Sequence, residues 1–160
     1  MEPYRLRSAG PADLPIVLEH RRKMFQDMGY RDPAALNATN ESSTPLLARG
    51  LADGSYRGWL ALSGETVVAG GDIVILDFQA HPIDPRPRRA FVVNMYTDRA
   101  HRRQGLARRL METMIAWARV EGHATLYLHA SDEGRGLYES LGFSPTNELR
   151  LMLRGGLECC

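Results

Sequence analysis

Cysteine is nearly absent from this 160-residue chain: its two copies, Cys159 and Cys160, are adjacent at the end, which gives neither a disulfide framework nor metal-ligand spacing. Lysine is scarcer still. Lys23 stands alone between Arg22 and Met24 against nineteen arginines, so a nucleotide-binding loop of the Gly-Lys-Ser/Thr kind is excluded. An excess of one charge is missing too: 20 basic and 19 acidic side chains leave a net charge of +1, too little to gather nucleic acid or an anionic membrane surface from a distance. Any anion site must be local. No apolar run approaches the ~20 residues of a membrane span. The opening Met1-Glu2-Pro3-Tyr4-Arg5 lacks the apolar centre of a secretory signal. These absences set the expectation of a cytoplasmic protein with no nucleic-acid and no membrane partner. His20, His81, His101, His123 and His129 fall in no HExxH or related pattern, so no metal is expected, and no G-x-S-x-G elbow is present.

What is present is ordinary globular composition, with 44% hydrophobic and 24% charged residues, enough for a single domain over 1–160 with one core. The pattern opens with a strand at Tyr4 to Arg7. A helix introduced by Gly10 and Pro11 then shows Leu14, Val17, Leu18, Arg21, Met24 and Phe25 on one face. Residues 33 to 53 read as one or two helices broken by the polar stretch Asn37 to Thr44, with Pro45 starting the second and Gly54 ending it. From there the period becomes that of strands: Trp59 to Leu62, a turn at Ser63-Gly64-Glu65, and Thr66 to Phe78 with a bulge or bend at Gly70-Gly71. His81 to Arg89 is a Pro-rich surface loop. Phe91 to Thr97 is the next strand, and Leu106, Leu110, Met114 and Ala118 at spacing four predict a helix from Leu106 to Val120 closed by Gly122. A strand at Thr125 to Ala130, a short helix near Glu133 to Leu141 ended by Gly142, and a last strand at Glu148 to Leu153 complete the order. Strands and helices in this order imply an α/β (α+β) domain around a mixed sheet.

Chemistry concentrates in Val93 to Ala107, VNMYTDRAHRRQGLA. A strand ends near Thr97, a turn carries Arg99, Arg102 and Arg103, and small residues at Gly105 and Ala107 open the next helix. The free N–H groups of a helix's first turn, with the positive end of its dipole behind them, suit a bulky anion such as a pyrophosphate. A solvated helix start fits the same residues.

The run Arg102-Arg103-Gln104-Gly105-Leu106-Ala107 resembles the signature of the GNAT superfamily of acyl-CoA-dependent N-acyltransferases: Arg or Gln, two residues, Gly, one residue, then Gly or Ala, after a strand and opening a helix. Gly136-Leu137-Tyr138-Glu139-Ser140-Leu141-Gly142-Phe143, one helix and one strand later, looks like that family's Leu-Tyr-Glu-x-Leu-Gly-Phe segment. The resemblance implies a GNAT-like fold: a mixed, mostly antiparallel, twisted sheet with helices on both faces. It also implies acetyl-CoA as cosubstrate, with the pantetheine arm along Met95, Tyr96 and Thr97. The pyrophosphate would lie on the N–H groups of Gln104, Gly105, Leu106, Ala107 and Arg108, with Arg102 and Arg103 nearby. Tyr138 falls on the family's tyrosine, which supplies a proton to the leaving thiolate. The chain departs at Ser131, where many members have Asn, although Ser still donates a hydrogen bond, and at Gly134, where they often have Ala.

The general base stays open. Asn94 and Asp98 flank the cofactor strand, Asp72 and Asp77 lie on its expected neighbour, and a water chain is a further alternative; Asn94 is carried beside Tyr138 as the catalytic candidate. The implied activity is transfer of acetyl to a primary amine of a small molecule or peptide by direct attack in a ternary complex, with a homodimer possible. The rivals are a non-catalytic acyl-CoA sensor on the same fold and a nucleic-acid binder using Arg99, Arg102, Arg103, Arg108 and Arg109. Little charge excess and no interleaved aromatics oppose the second. Arg21 to Asn40 and His81 to Arg89, where an acceptor pocket would be shaped, carry no readable pattern.

Overall fold

The structure, a computed structural model, describes residues 4–154. Cys159 and Cys160 lie outside them. The chain divides after Leu128 into two compact units.

The first unit is a five-stranded sheet in the order β1-β2-β3-β4-β5, comprising β1 (Arg5–Ser8), β2 (Tyr56–Ser63), β3 (Thr66–Asp77), β4 (Arg88–Thr97) and β5 (Leu126–Leu128). Neighbours from β1 to β4 are antiparallel, and β5 joins β4 in parallel, so the mixed, mostly antiparallel sheet expected from the sequence is what forms. Each strand's alternation divides its side chains between two faces. Tyr56 and Trp59, an odd number of residues apart, show which helices cover which face. Tyr56 joins Val17, Leu47 and Leu51 in the core beneath α1 (Leu14–Asp27) and α2 (Pro33–Asp53). Trp59 meets Trp117 of α3 (Leu106–Val120) on the other face, with ring centroids 5.5 Å apart. The predicted stripe on α3 is its core face: Leu106, Leu110, Met111, Met114 and Ala118 are all buried.

Several boundaries differ from the sequence reading. Pro11–Asp13 forms a 3₁₀ turn, and α1 starts only at Leu14. Residues 33–53 are a single helix, with the Asp32 carboxylate capping Ala34 N–H and Pro45 lying inside. The polar stretch does not break it, because Thr39, Ser43 and Thr44 donate back to the carbonyls four residues earlier. β5 is shorter than expected, pairing only with Ala90–Val92 of β4. The anticipated strand at 148–153 does not form. Leu149, Leu151 and Leu153 have the alternation, but a period-two pattern supplies no hydrogen-bonding partner, and all three are exposed.

The second unit holds α4 (Asp132–Ser140), capped by Ser131, whose Oγ accepts from Gly134 N–H at 3.2 Å.

Candidate active site

The sheet positions two features on β4. The first is the turn leading from β4 into α3. Asp98 N–H bonds back to Val68 O at 2.8 Å, and Arg102 Nε donates to Thr97 O at 3.0 Å, which folds the turn against the strand end. Arg102 also pairs with Asp27, at the end of α1, and Arg99 binds the other oxygen of the same carboxylate at 2.8 Å. The two arginines hold Asp27 below the usual carboxylate range, against the opposing effect of burial. Arg102 therefore has protein partners and fixes the turn, whereas Arg103 is exposed, as are Gln104 and Gly105.

Arg103 and Gly105 both have left-handed backbones, with φ of 60° and 78°. Gly105 is the N-cap of α3 and provides no side-chain cap, and the first helical bond runs from Arg109 N–H to Gly105 O at 3.0 Å. The N–H groups of Leu106 and Ala107 thus have no partner within the helix. A Cβ placed at Gly105 would meet nothing within 4 Å. Backbone donors, dipole and open space together fit a pyrophosphate.

The second feature is a bulge. Gly70 pairs with Tyr96 and Asp72 with Val93, so Asn94 and Met95 of β4 face the single residue Gly71. A Cβ at Gly71 would collide with the Met95 sulfur, so the glycine is what lets Met95 cross the strand there. Asn94 takes the left-handed conformation, with φ of 55°, and is 4% exposed. Its amide is fully engaged: Oδ1 accepts from Arg21 Nη1 at 2.9 Å, and Nδ2 donates to Tyr56 Oη at 2.6 Å and to Asp72 Oδ2 at 3.2 Å. Tyr56 Oη in turn donates to Asp72 Oδ2 at 2.7 Å. The Arg21 guanidinium lies 4.9 Å from the Phe25 ring centroid. Gly58 makes the room, since a Cβ there would sit 2.6 Å from Asp72 Oδ1 and 2.9 Å from Ala9 Cβ.

Asp72 is 3% exposed. Burial pushes its pKa up to about 7, opposed by the hydrogen bonds from Tyr56 and Asn94 and by the Arg21 charge. Burial and the same carboxylate push Tyr56 up as well, so it stays protonated. Because Asp72 binds its proton more tightly folded than unfolded, its contribution to stability is full below about pH 4 and is lost as pH rises through 7. At 1.36 kcal/mol per pH unit over this range, the loss is about 4 kcal/mol. Buried His20, whose pKa burial lowers, gives the opposite slope, so the measurement is a difference. Denaturant titrations from pH 5 to 8 are expected to show wild type losing stability relative to Asp72→Asn; parallel curves would refute a buried ionisable carboxylate.

In the second unit, burial pushes the Tyr138 hydroxyl up and keeps it protonated. Its ring packs edge-on to Phe143 at 6.0 Å. The hydroxyl takes no hydrogen-bond partner among the described residues. A Cβ at Gly134 would lie 2.9 Å from Tyr138 Cε2, so an alanine there would make the ring shift. Ser131 Oγ uses a lone pair on its cap and keeps its proton for donation.

The structure thus brings Asn94, Met95, Tyr96, Thr97 and the 102–108 turn together along one strand and the helix after it. Sequence reasoning missed Tyr56 and the partners of Arg21 and Asp27. These pairings span 16, 73 and 72 residues or more in sequence, and Asp72, an acid in the apolar middle of β3 beside two glycines, carried a visible signal.

The sequence profile of the acetyltransferase (GNAT) family matches residues 17–143. Human N-acetyltransferase 8B is 34% identical over 95 residues, which is 56% of this chain but only 39% of that protein's length. Among solved structures, a GCN5-related N-acetyltransferase from Ralstonia eutropha JMP134 superposes with a TM-score of 0.87 at 34% identity, covering 94% of this chain and 98% of the other. A predicted acetyltransferase from Clostridium acetobutylicum, solved with acetyl-CoA, gives 0.85 at 24% identity, covering 94% and 96%.

Proposed function

The chain belongs to the acetyltransferase (GNAT) family, and on that premise we propose that it is an N-acetyltransferase moving acetyl from acetyl-CoA to a primary amine of a small molecule or peptide. The observation that carries this reading is the start of α3, where the N-cap Gly105 supplies no side-chain cap to the first N–H groups of the helix and a Cβ on it would meet only open space. Leu106, Ala107 and Arg108 would bind the pyrophosphate through those groups, with exposed Arg103 adding charge. Arg102 would serve the same end differently, by holding the turn on Asp27 and Thr97. Met95 to Thr97 would pair with the pantetheine arm, and Ser131 would donate to it. We read both units as parts of one acetyltransferase domain, since the family match runs from the first into the second.

The transfer itself asks little of covalent chemistry. A neutral amine nitrogen bonds to the thioester carbon as the carbon–sulfur bond breaks, the amine gives up a proton, and the sulfur leaves as thiolate and takes one. The chain supplies a polar backbone at the β4 bulge for the charge developing on the carbonyl oxygen, and a neutral hydroxyl at Tyr138 for the sulfur.

Thermal unfolding with acetyl-CoA, followed by thiol release against a panel of amines, tests the reading. A rise in Tm that grows with ligand concentration and an amine-dependent release of thiol are expected. Binding without release to any amine would turn the protein into an acyl-CoA sensor. No binding would overturn the proposal.

A further inference from the structure

We propose that Asp72, which lies outside both motifs, is a positioning residue of the acetyl-transfer site: through Tyr56 and Asn94 it holds β4 in the bend that presents the bulge backbone to the thioester carbonyl. The inference rests on the function proposed above and deepens it.

The argument begins with strain. Asn94 is not a glycine, yet it sits at φ 55° inside a strand. Asparagine reaches this conformation more readily than most residues, and inside a strand the surroundings hold it there. Side-chain bonds contribute to that hold: three protein groups, from α1, β2 and β3, grip one amide. Asp72 closes the grip, because its Oδ2 accepts both the Tyr56 hydroxyl and the Asn94 Nδ2. Without that acceptor, the Tyr56 hydroxyl and one Asn94 N–H lose their buried partner, and only the bond from Asn94 Nδ2 to Tyr56 Oη still ties the two residues.

The choice of residue is informative. An apolar side chain of similar size would be the cheaper occupant of this interior position, since a buried carboxylate loses its hydration. The fold accommodates the carboxylate instead, leaving residue 58 without a side chain so that Oδ1 fits. What the arrangement secures lies on the next strand: two residues of β4 set against one of β3, beside the stretch Met95 to Thr97. A bulge takes backbone groups out of the ladder, and a fixed backbone N–H is the standard means of stabilising charge on a carbonyl oxygen.

The groups facing Asp72 are Tyr56 from β2, Asn94 from β4 and the charge of Arg21 from α1. Both donors meet Oδ2, so a proton on Oδ1 leaves their acceptor in place.

The test uses the whole protein with acetyl-CoA labelled with ¹³C at the carbonyl, and isotope-edited infrared spectra. In wild type, binding is expected to move the carbonyl stretch to lower wavenumber. In Asp72→Leu, which removes the acceptor, the CoA dissociation constant should stay within threefold while the stretch returns to that of free acetyl-CoA. Should Asp72→Leu fail to fold, Tyr56→Phe, which keeps the carboxylate and removes one donor, should move the stretch partway back. A wild-type shift retained in the variant that folds, or no shift in wild type, overturns the role of Asp72 and leaves the proposed function standing. Absence of acetyl-CoA binding by wild type would sink both.

Discussion

Replacing Ala107 by aspartate is expected to lower CoA affinity by roughly 10²- to 10⁴-fold while leaving the unliganded protein as stable as wild type, or more so. The two effects separate because the same backbone groups serve both. An acidic residue in the first turn of a helix is favourable to the macrodipole, and at this position it takes up N–H groups that Gly105, lacking a side chain, cannot cap. A pyrophosphate would need those groups and would meet a negative charge beside them. Two lost charge-assisted hydrogen bonds, at about 1.5–3 kcal/mol each, set the range. Ala107 is partly exposed and is not among the buried residues of α3, so the substitution changes the cradle without replacing Leu106 or Leu110. It is also a cleaner probe than a β-branched residue at Gly105, whose φ of 78° would add backbone strain to any steric effect. Isothermal titration with CoA and thermal unfolding without it are the two measurements. An Ala107→Asp variant that binds CoA within tenfold of wild type would remove the start of α3 from the site.

How much of this was legible beforehand depends on whether the cause was local. Leu106 to Val120 was read to its boundaries because one helix's own spacing of apolar residues decides which face is buried. The Gly70-Gly71 bulge was visible for the same reason, although its extra residue proved to lie on β4, at Asn94–Met95. The turn proposed to bind the pyrophosphate was marked by the small residues at 105 and 107. What failed was non-local. Pro45 reads as a helix start, and only the side-chain bonds of Thr39, Ser43 and Thr44 reveal the continuous helix around it. Arg102 reads from the sequence as a cation beside the phosphates, and its pairing with Asp27, at the far end of α1, was not visible there. The grip on Asn94 gathers Arg21, Tyr56 and Asp72 from three elements, and no spacing rule connects them.

Tyr138→Phe separates an enzyme from a binding module, and turnover is expected to fall about 10²-fold with stability and CoA affinity unchanged. The substitution keeps the ring, and with it the contact to Phe143 and the packing that Gly134 permits. It deletes a hydroxyl that has no hydrogen-bond partner among the described residues, so no buried group is orphaned by its removal. General-acid contributions run from about 10² to 10⁴, and the lower end applies because a thiolate leaves readily and water can replace the donor. The pH profile supplies the second signature. Burial raises the Tyr138 hydroxyl above its ordinary value of 10.0, so in wild type the donor stays protonated across the neutral range and the alkaline limb lies displaced upward. The Phe variant should lose that limb. Steady-state kcat from pH 6 to 11, paired with CoA titration of both proteins, decides the matter. Equal kcat values would remove Tyr138 from the chemistry, and a parallel loss of CoA affinity would return it to a packing role in α4.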